Sequence, residues 1–148
     1  MIRINLIKCW WSIVIVLLPL FSCQNKNESN TDITDNSAEI EVIYFYGKQR
    51  CSTCVAMERY AKEAIDSIFP QELKEGIIQF KTIDITTPEG ERIADNFEVA
   101  SSSLFIVDNT KENPERINMT AFGFQNARRN KAEYKQGIID RINSLMKQ

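Results

Sequence analysis

The residues with the clearest capacity for chemistry are two cysteines three positions apart, in Cys51-Ser52-Thr53-Cys54. At that spacing one helical turn brings the second sulfur within bonding reach of the first. A thiol attacks a disulfide only as its thiolate, so the attacking cysteine needs a pKa near or below ambient pH. Three features favour the thiolate of Cys51. It stands where a helix is expected to begin, and unpaired N–H groups and the macrodipole favour negative charge there. Lys48 and Arg50 place positive charge just before it. Cys54 can donate a hydrogen bond to it. The pattern predicts a redox-active dithiol, with Cys51 as the exposed attacking thiol and Cys54 as the more buried resolving thiol that breaks a mixed disulfide. The alternative is a static local disulfide, and a loop this small offers little loop-closure entropy to make one worthwhile.

The remaining cysteines and the composition narrow the chemistry. The chain has 148 residues, four cysteines and no histidine. Arg3 and Lys8 form a positive start, and Cys9 to Phe21 form an apolar stretch too short for a spanning helix. Leu20-Phe21-Ser22-Cys23, followed by polar Gln24-Asn25-Lys26, resembles the lipobox of bacterial lipoproteins. That resemblance implies that residues 1–22 are a lipoprotein signal peptide and that Cys23 is lipidated. The chain would then sit in the bacterial cell envelope, on the periplasmic or outer-surface side, where disulfides persist. An ordinary cleaved signal peptide or an uncleaved anchor are the alternatives. Residues 23–37, rich in Asn, Ser, Thr and Asp, read as a lipidated flexible tether reaching roughly 40 Å. Cys51 and Cys54 are then the free thiols of the processed chain. A zinc site needs four N or S ligands, and without histidine or a second cysteine pair none is expected, nor any cofactor. Removing Arg3 and Lys8 from the 18 basic residues leaves 16 against 20 acidic ones, a net charge of about −4. A mildly acidic chain without a basic cluster does not suggest nucleic-acid binding.

The elements that must position the dithiol are legible from residue 38 onward, in a domain spanning 38–148. Glu41 to Tyr46, which reads Val-Ile-Tyr-Phe-Tyr after the Glu, is an apolar and aromatic run suited to a buried strand. Gly47 to Arg50 forms a loop. A helix follows from about Cys51 to Phe69, with Met57, Ala61, Ala64 and Ile68 on one face and Pro70 limiting it. Ile77 to Ile85 is a second strand with Ile78, Phe80 and Thr82 on one side. Thr87-Pro88-Glu89 starts a helix, with Thr as N-cap and Pro at N1, carrying Ile93 and Phe97. Ser103 to Asp108 is a third strand, Asn109 to Glu115 a turn, and Arg116 to Phe122 a fourth strand. The last helix begins near Asn130, whose spacing to Glu133 makes a capping box, and presents Ile138, Ile142 and Leu145. The order β-α-β-α-β-β-α predicts an α/β fold with a central four-stranded mixed sheet flanked by helices. The β-α-β crossover puts the second strand at an edge and the first inside.

A Cys-x-x-Cys after the first strand, opening the first helix, in this order of elements, resembles the thioredoxin-like family across the whole domain. The resemblance implies thiol–disulfide exchange with a protein partner through a mixed disulfide at Cys51. It also marks departures. The loop facing the dithiol in that family ends in a cis-proline. Here Ser101, Ser102 and Ser103 occupy the partner-facing loop, and a cis bond without proline costs roughly 3 kcal/mol, so a trans loop is expected. Phe45 stands where the family buries an Asp, Phe80 where it has that residue's Lys partner, and Arg50 where it has an aromatic. Glu58, one turn after Cys54, is placed to serve as a base or, the favoured reading, as a surface partner of Lys62, and Tyr44 and Tyr46 read as packing residues.

The segment Tyr44 to Cys54 behind a lipobox also resembles the ArsF-type family of nitrophenyl compound nitroreductase subunits. That narrower likeness implies an electron relay serving reduction of nitrophenyl or organoarsenical compounds. Two further readings remain open on the residues: a dithiol module that binds a soft metal ion or trivalent arsenical, and a docking subunit without catalysis.

Overall fold

A computed structural model of the chain describes residues 37–147, which lie in one compact unit spanning Thr34–Gln148. The signal-peptide and lipidation expectations, with Cys9, Cys23 and most of the tether, lie outside the described residues.

The sheet is built on strand β1 (Ile40–Tyr46). β2 (Ile78–Asp84) runs parallel beside it, with Ile40 opposite Ile78 and Tyr46 opposite Asp84. On its other side β3 (Ser103–Asp108) is antiparallel, with Phe45 opposite Ser103, and β4 (Glu115–Asn118) pairs antiparallel with β3. The order is β2-β1-β3-β4, the mixed four-stranded sheet expected, with the first strand inside. Side chains alternate across a strand, and β1 uses both of its faces. Val42 and Tyr44 enter a core with Met57, Ala61, Ile65, Leu104, Ile106, Ile138 and Ile142. Ile43 and Phe45 enter a second with Ala94, Phe105 and Val107. A strand covered on both faces reads as a continuous apolar run, which is why β1 showed no alternation in the sequence.

Helix α1 (Ser52–Ile68) follows β1, and α2 (Pro70–Glu75) follows it directly. Pro70 both ends α1 and opens α2, since a proline at the first helical position sacrifices no hydrogen bond. The expectation had only the first role. Ile68 is about half exposed, and Ile65 takes its place in the core. Strict i, i+4 spacing from Ala61 selects Ile65, while Ile68 has drifted toward the solvent side. On β2 Thr82 is exposed, and Ile83 packs against the second core instead. α3 (Pro88–Asn96) starts as expected: the Thr87 hydroxyl accepts from the Gly90 N–H at 3.0 Å.

The main correction lies after β4. The strand expected over 116–122 stops at Asn118, and α4 (Thr120–Asn126) begins there. The Asn118 side chain accepts from the Thr120 N–H at 2.9 Å, and the Thr120 hydroxyl accepts from the Leu104 N–H at 3.0 Å. These side chains complete the ladder and turn the chain, a competition with strand pairing that Asn and Thr can win. α5 (Lys131–Leu145) then opens on Asn130, whose side-chain oxygen accepts from the Glu133 N–H at 3.3 Å, and buries Ile138, Ile142 and Leu145 as expected.

Candidate functional site: the Cys51–Cys54 disulfide

The end of β1 and the loop Gly47 to Arg50 deliver Cys51 to the N-terminus of α1, where it is the N-cap with extended backbone. Its sulfur takes the part a Ser or Asp oxygen usually plays, accepting from the Cys54 N–H at 3.1 Å. The two sulfurs are joined as a disulfide, with Cα atoms 5.0 Å apart. Cys51 is exposed, and Cys54 is 6% exposed. One sulfur therefore faces the surroundings and the other faces the core.

Two buried tyrosines hold the first turns of α1 from below. The Tyr44 hydroxyl donates to the Cys54 carbonyl at 2.8 Å, and the Tyr134 hydroxyl donates to the Met57 carbonyl at 3.0 Å. Burial pushes the Tyr134 phenol well up from its ordinary value, and the Tyr44 phenol adds to the shift, so it stays a neutral donor. Tyr44 is thus a packing residue, as read from the sequence, and also an anchor for the backbone of Cys54.

Arg50 is drawn into a network of its own. It pairs with Glu58, and its guanidinium lies 5.0 Å from the Tyr46 ring centroid and 5.7 Å from that of Tyr44. Burial alone would lower its pKa, but hydrogen bonding to Glu58 and Tyr44 outweighs this and raises it. The expected Glu58–Lys62 pair does not form, because Lys62 bonds Asp66 at 2.7 Å and Glu58 turns back to Arg50. Lys48 is exposed and has no carboxylate partner among the described residues.

The serine loop comes to the same end of the sheet, through the pairing of Ser103 with Phe45. Ser101 is exposed, Ser102 and Ser103 are buried, and the Ser103 hydroxyl donates to the Ser101 carbonyl at 3.1 Å. Every peptide bond among the described residues is trans. Phe45 closes an aromatic triangle, its ring centroid 5.2 Å from Phe97 and 5.9 Å from Phe105, with those two 5.3 Å apart. Phe45 is therefore packed among hydrocarbon rings, and the buried carboxylate of β1, Glu41, is paired with Lys81. Among the described residues no three His, Cys, Asp or Glu side chains gather as a metal-ligand set.

Sequence reasoning missed what α4 and the turn after it bring beside the motif. Arg128 Nη1 donates to the Ser52 hydroxyl at 3.0 Å, and Thr53, Phe124, Arg128 and Arg129 line a groove of about 300 Å³. With the expected strand running to Phe122, these residues had no element to place them. The spacing of four between Met119, Gly123 and Ala127, the residues buried along this stretch, was the available signal of a helix.

No family model matches the chain, and no curated protein matches it. Among solved structures it is similar to a thioredoxin from Thermus thermophilus, with a TM-score of 0.46 and 19% identity over 69% of this chain and 72% of that one. It is also similar to a Fasciola hepatica thioredoxin, with a TM-score of 0.44 and 19% identity over 73% of this chain and 86% of that one. A malarial protein gives a TM-score of 0.38 and 16% identity over 58% of this chain and 89% of that one. The weight rests on strand order, register and the slot of the disulfide between β1 and α1: the described domain has a thioredoxin-like α/β fold.

Proposed function

We propose that the protein is a thiol–disulfide oxidoreductase working through Cys51 and Cys54. The observation that carries this reading is the division of the pair: Cys51 exposed at the N-cap of α1, and Cys54 buried one turn on with its backbone pinned by Tyr44. In the reduced protein the Cys51 thiolate attacks a partner disulfide. A Cys51–partner bond forms and one partner thiolate leaves. Cys54 then gives its proton to solvent and attacks Cys51, which closes the internal disulfide and frees the second partner thiolate. Two electrons have passed from the dithiol to the partner, and the reverse sequence oxidises a partner dithiol. Lys48 and the N-terminus of α1 stabilise the thiolate, Arg50 does so in balance with Glu58, and of the serine loop expected to face the partner only the exposed Ser101 borders its approach, Ser102 and Ser103 being buried.

The finer assignment rests on sequence patterns. Lipid on Cys23 would hold the domain in the bacterial envelope, and the likeness of Tyr44 to Cys54 to the ArsF-type family supports a dedicated relay for nitrophenyl or organoarsenical reduction. Titration in glutathione redox buffers tests the core reading. The expected result is reversible two-electron exchange of one dithiol per chain, with native circular dichroism at both ends. A Cys51–Cys54 disulfide that stays unreduced until the protein unfolds overturns it. Stoichiometric capture of a trivalent arsenical by reduced protein that exchanges no disulfides favours the binding-module reading instead.

A further inference from the structure

The groove beside the disulfide is a positively charged surface in a chain with an excess of acidic residues. Arg128 and Arg129 lie in the turn between α4 and α5, and Phe124 projects from α4, about half exposed. Three observations make this a built surface. First, Arg128 is tethered to Ser52, a residue between the two cysteines, so its charge is fixed next to the reactive pair. Second, α4 is seated tightly on α1. A Cβ on Gly123 would lie 2.7 Å from the terminal methyl of Met57, so the two helices approach closely here and a larger residue would have to displace the end of that side chain. Third, the carboxylates of α1 are paired with other cations. Glu58 pairs with Arg50, Glu63 with Lys131 and Lys135, and Asp66 with Lys62. Neither Arg128 nor Arg129 has a carboxylate partner among the described residues.

We infer that this groove receives an acidic segment flanking the reactive cysteine of a protein partner. The inference rests on the proposed disulfide exchange at Cys51. A carboxylate two or three residues from the partner's cysteine would meet Arg128 and Arg129 while the sulfur meets Cys51, and Phe124 offers apolar surface to the chain between. Charge complementarity of this kind acts chiefly on encounter and orientation, and salt screens it.

The test is single-turnover oxidation of pre-reduced protein by short peptide disulfides, followed by the loss of free Cys51 and Cys54 thiols. Peptides carrying glutamates beside the cysteine are compared with matched peptides carrying glycine or lysine, and with uncharged hydroxyethyl disulfide. The acidic peptide is expected to react about 10-fold faster than the lysine peptide at low ionic strength, the gap closing at high salt. Arg129→Glu should reverse the order of the two peptides. Equal rates for all three peptides, alongside normal turnover of hydroxyethyl disulfide, overturn the docking inference and leave the oxidoreductase reading standing. No reaction with any disulfide overturns both. The peptide comparison on the unaltered chain needs no variant, so a poorly folded Arg129→Glu would not spare the inference.

Discussion

At the scale of single residues, the site depends on how the charge and backbone around Cys51 are held. Arg50 shares its charge with Glu58, so each side chain should affect the thiolate in the opposite sense. Glu58→Gln leaves the guanidinium uncompensated, and Cys51 should alkylate about 2-fold faster at neutral pH. Arg50→Gln leaves the carboxylate and should slow it by a similar factor. Iodoacetamide kinetics on reduced protein read both, and a change of the same sign in the two variants would show that the pair acts only through structure. Tyr44→Phe removes the hydroxyl that donates to the Cys54 carbonyl. It should cost about 1 kcal/mol of stability, measured by urea unfolding of the oxidised protein. The cysteine pair was legible in the sequence because type and spacing alone define it. The Arg50–Glu58 pair was not, since it joins residues eight apart across the motif and the i+4 rule pointed Glu58 to Lys62.

At the scale of elements, the helix starts were readable and the places where side chains override periodicity were not. Thr87 with Pro88, and Asn130 with Glu133, act locally, and both caps stand where the sequence put them. The end of β4 is decided by Asn118 and Thr120 bonding to backbone, one of them across to β3, and no window of sequence contains that partner. Close approach of elements supplies a further prediction. Gly90 in α3 lies so near the end of β2 that an added Cβ would sit 1.9 Å from the Asp84 carbonyl oxygen. Backbone cannot yield as a side chain can, so Gly90→Ala should cost about 3 kcal/mol, read as a lower urea midpoint. The end of β3 supplies another. Burial opposes ionisation of Asp108, but the Thr110 hydroxyl and N–H, at 2.6 and 3.0 Å, and Lys111 at 3.4 Å outweigh it and hold the carboxyl below its ordinary value. With the folded value depressed, the unfolded chain takes up the proton first as pH falls. The stabilisation is complete above the ordinary Asp range near pH 4 and is lost below it. Urea unfolding from pH 6 to pH 3 should show a steeper loss for the unaltered chain than for Asp108→Asn.

At the scale of the whole molecule, a two-faced core carries a small reactive surface. Strand β1 is buried on both sides, and its far end feeds the loop that presents Cys51, so the disulfide sits at the edge of the core. The architecture was legible as strand order because three strands and three helices announce themselves by composition and caps. The extra helices α2 and α4 were hidden behind a proline read only as a stop and an apolar run read as strand. α4 brings the arginine surface to the motif, so the missed element also hid the missed residues. The central claim is that the two sulfurs have unequal roles, Cys51 attacking and Cys54 resolving. The direct measurement is intact-mass analysis of reduced Cys54→Ser and Cys51→Ser proteins, each mixed with a small aromatic disulfide at neutral pH. The account predicts a stable mixed disulfide on Cys51 in Cys54→Ser, formed at least about 10-fold faster than any adduct on Cys51→Ser. Equal rates, or faster reaction at Cys54, would contradict it.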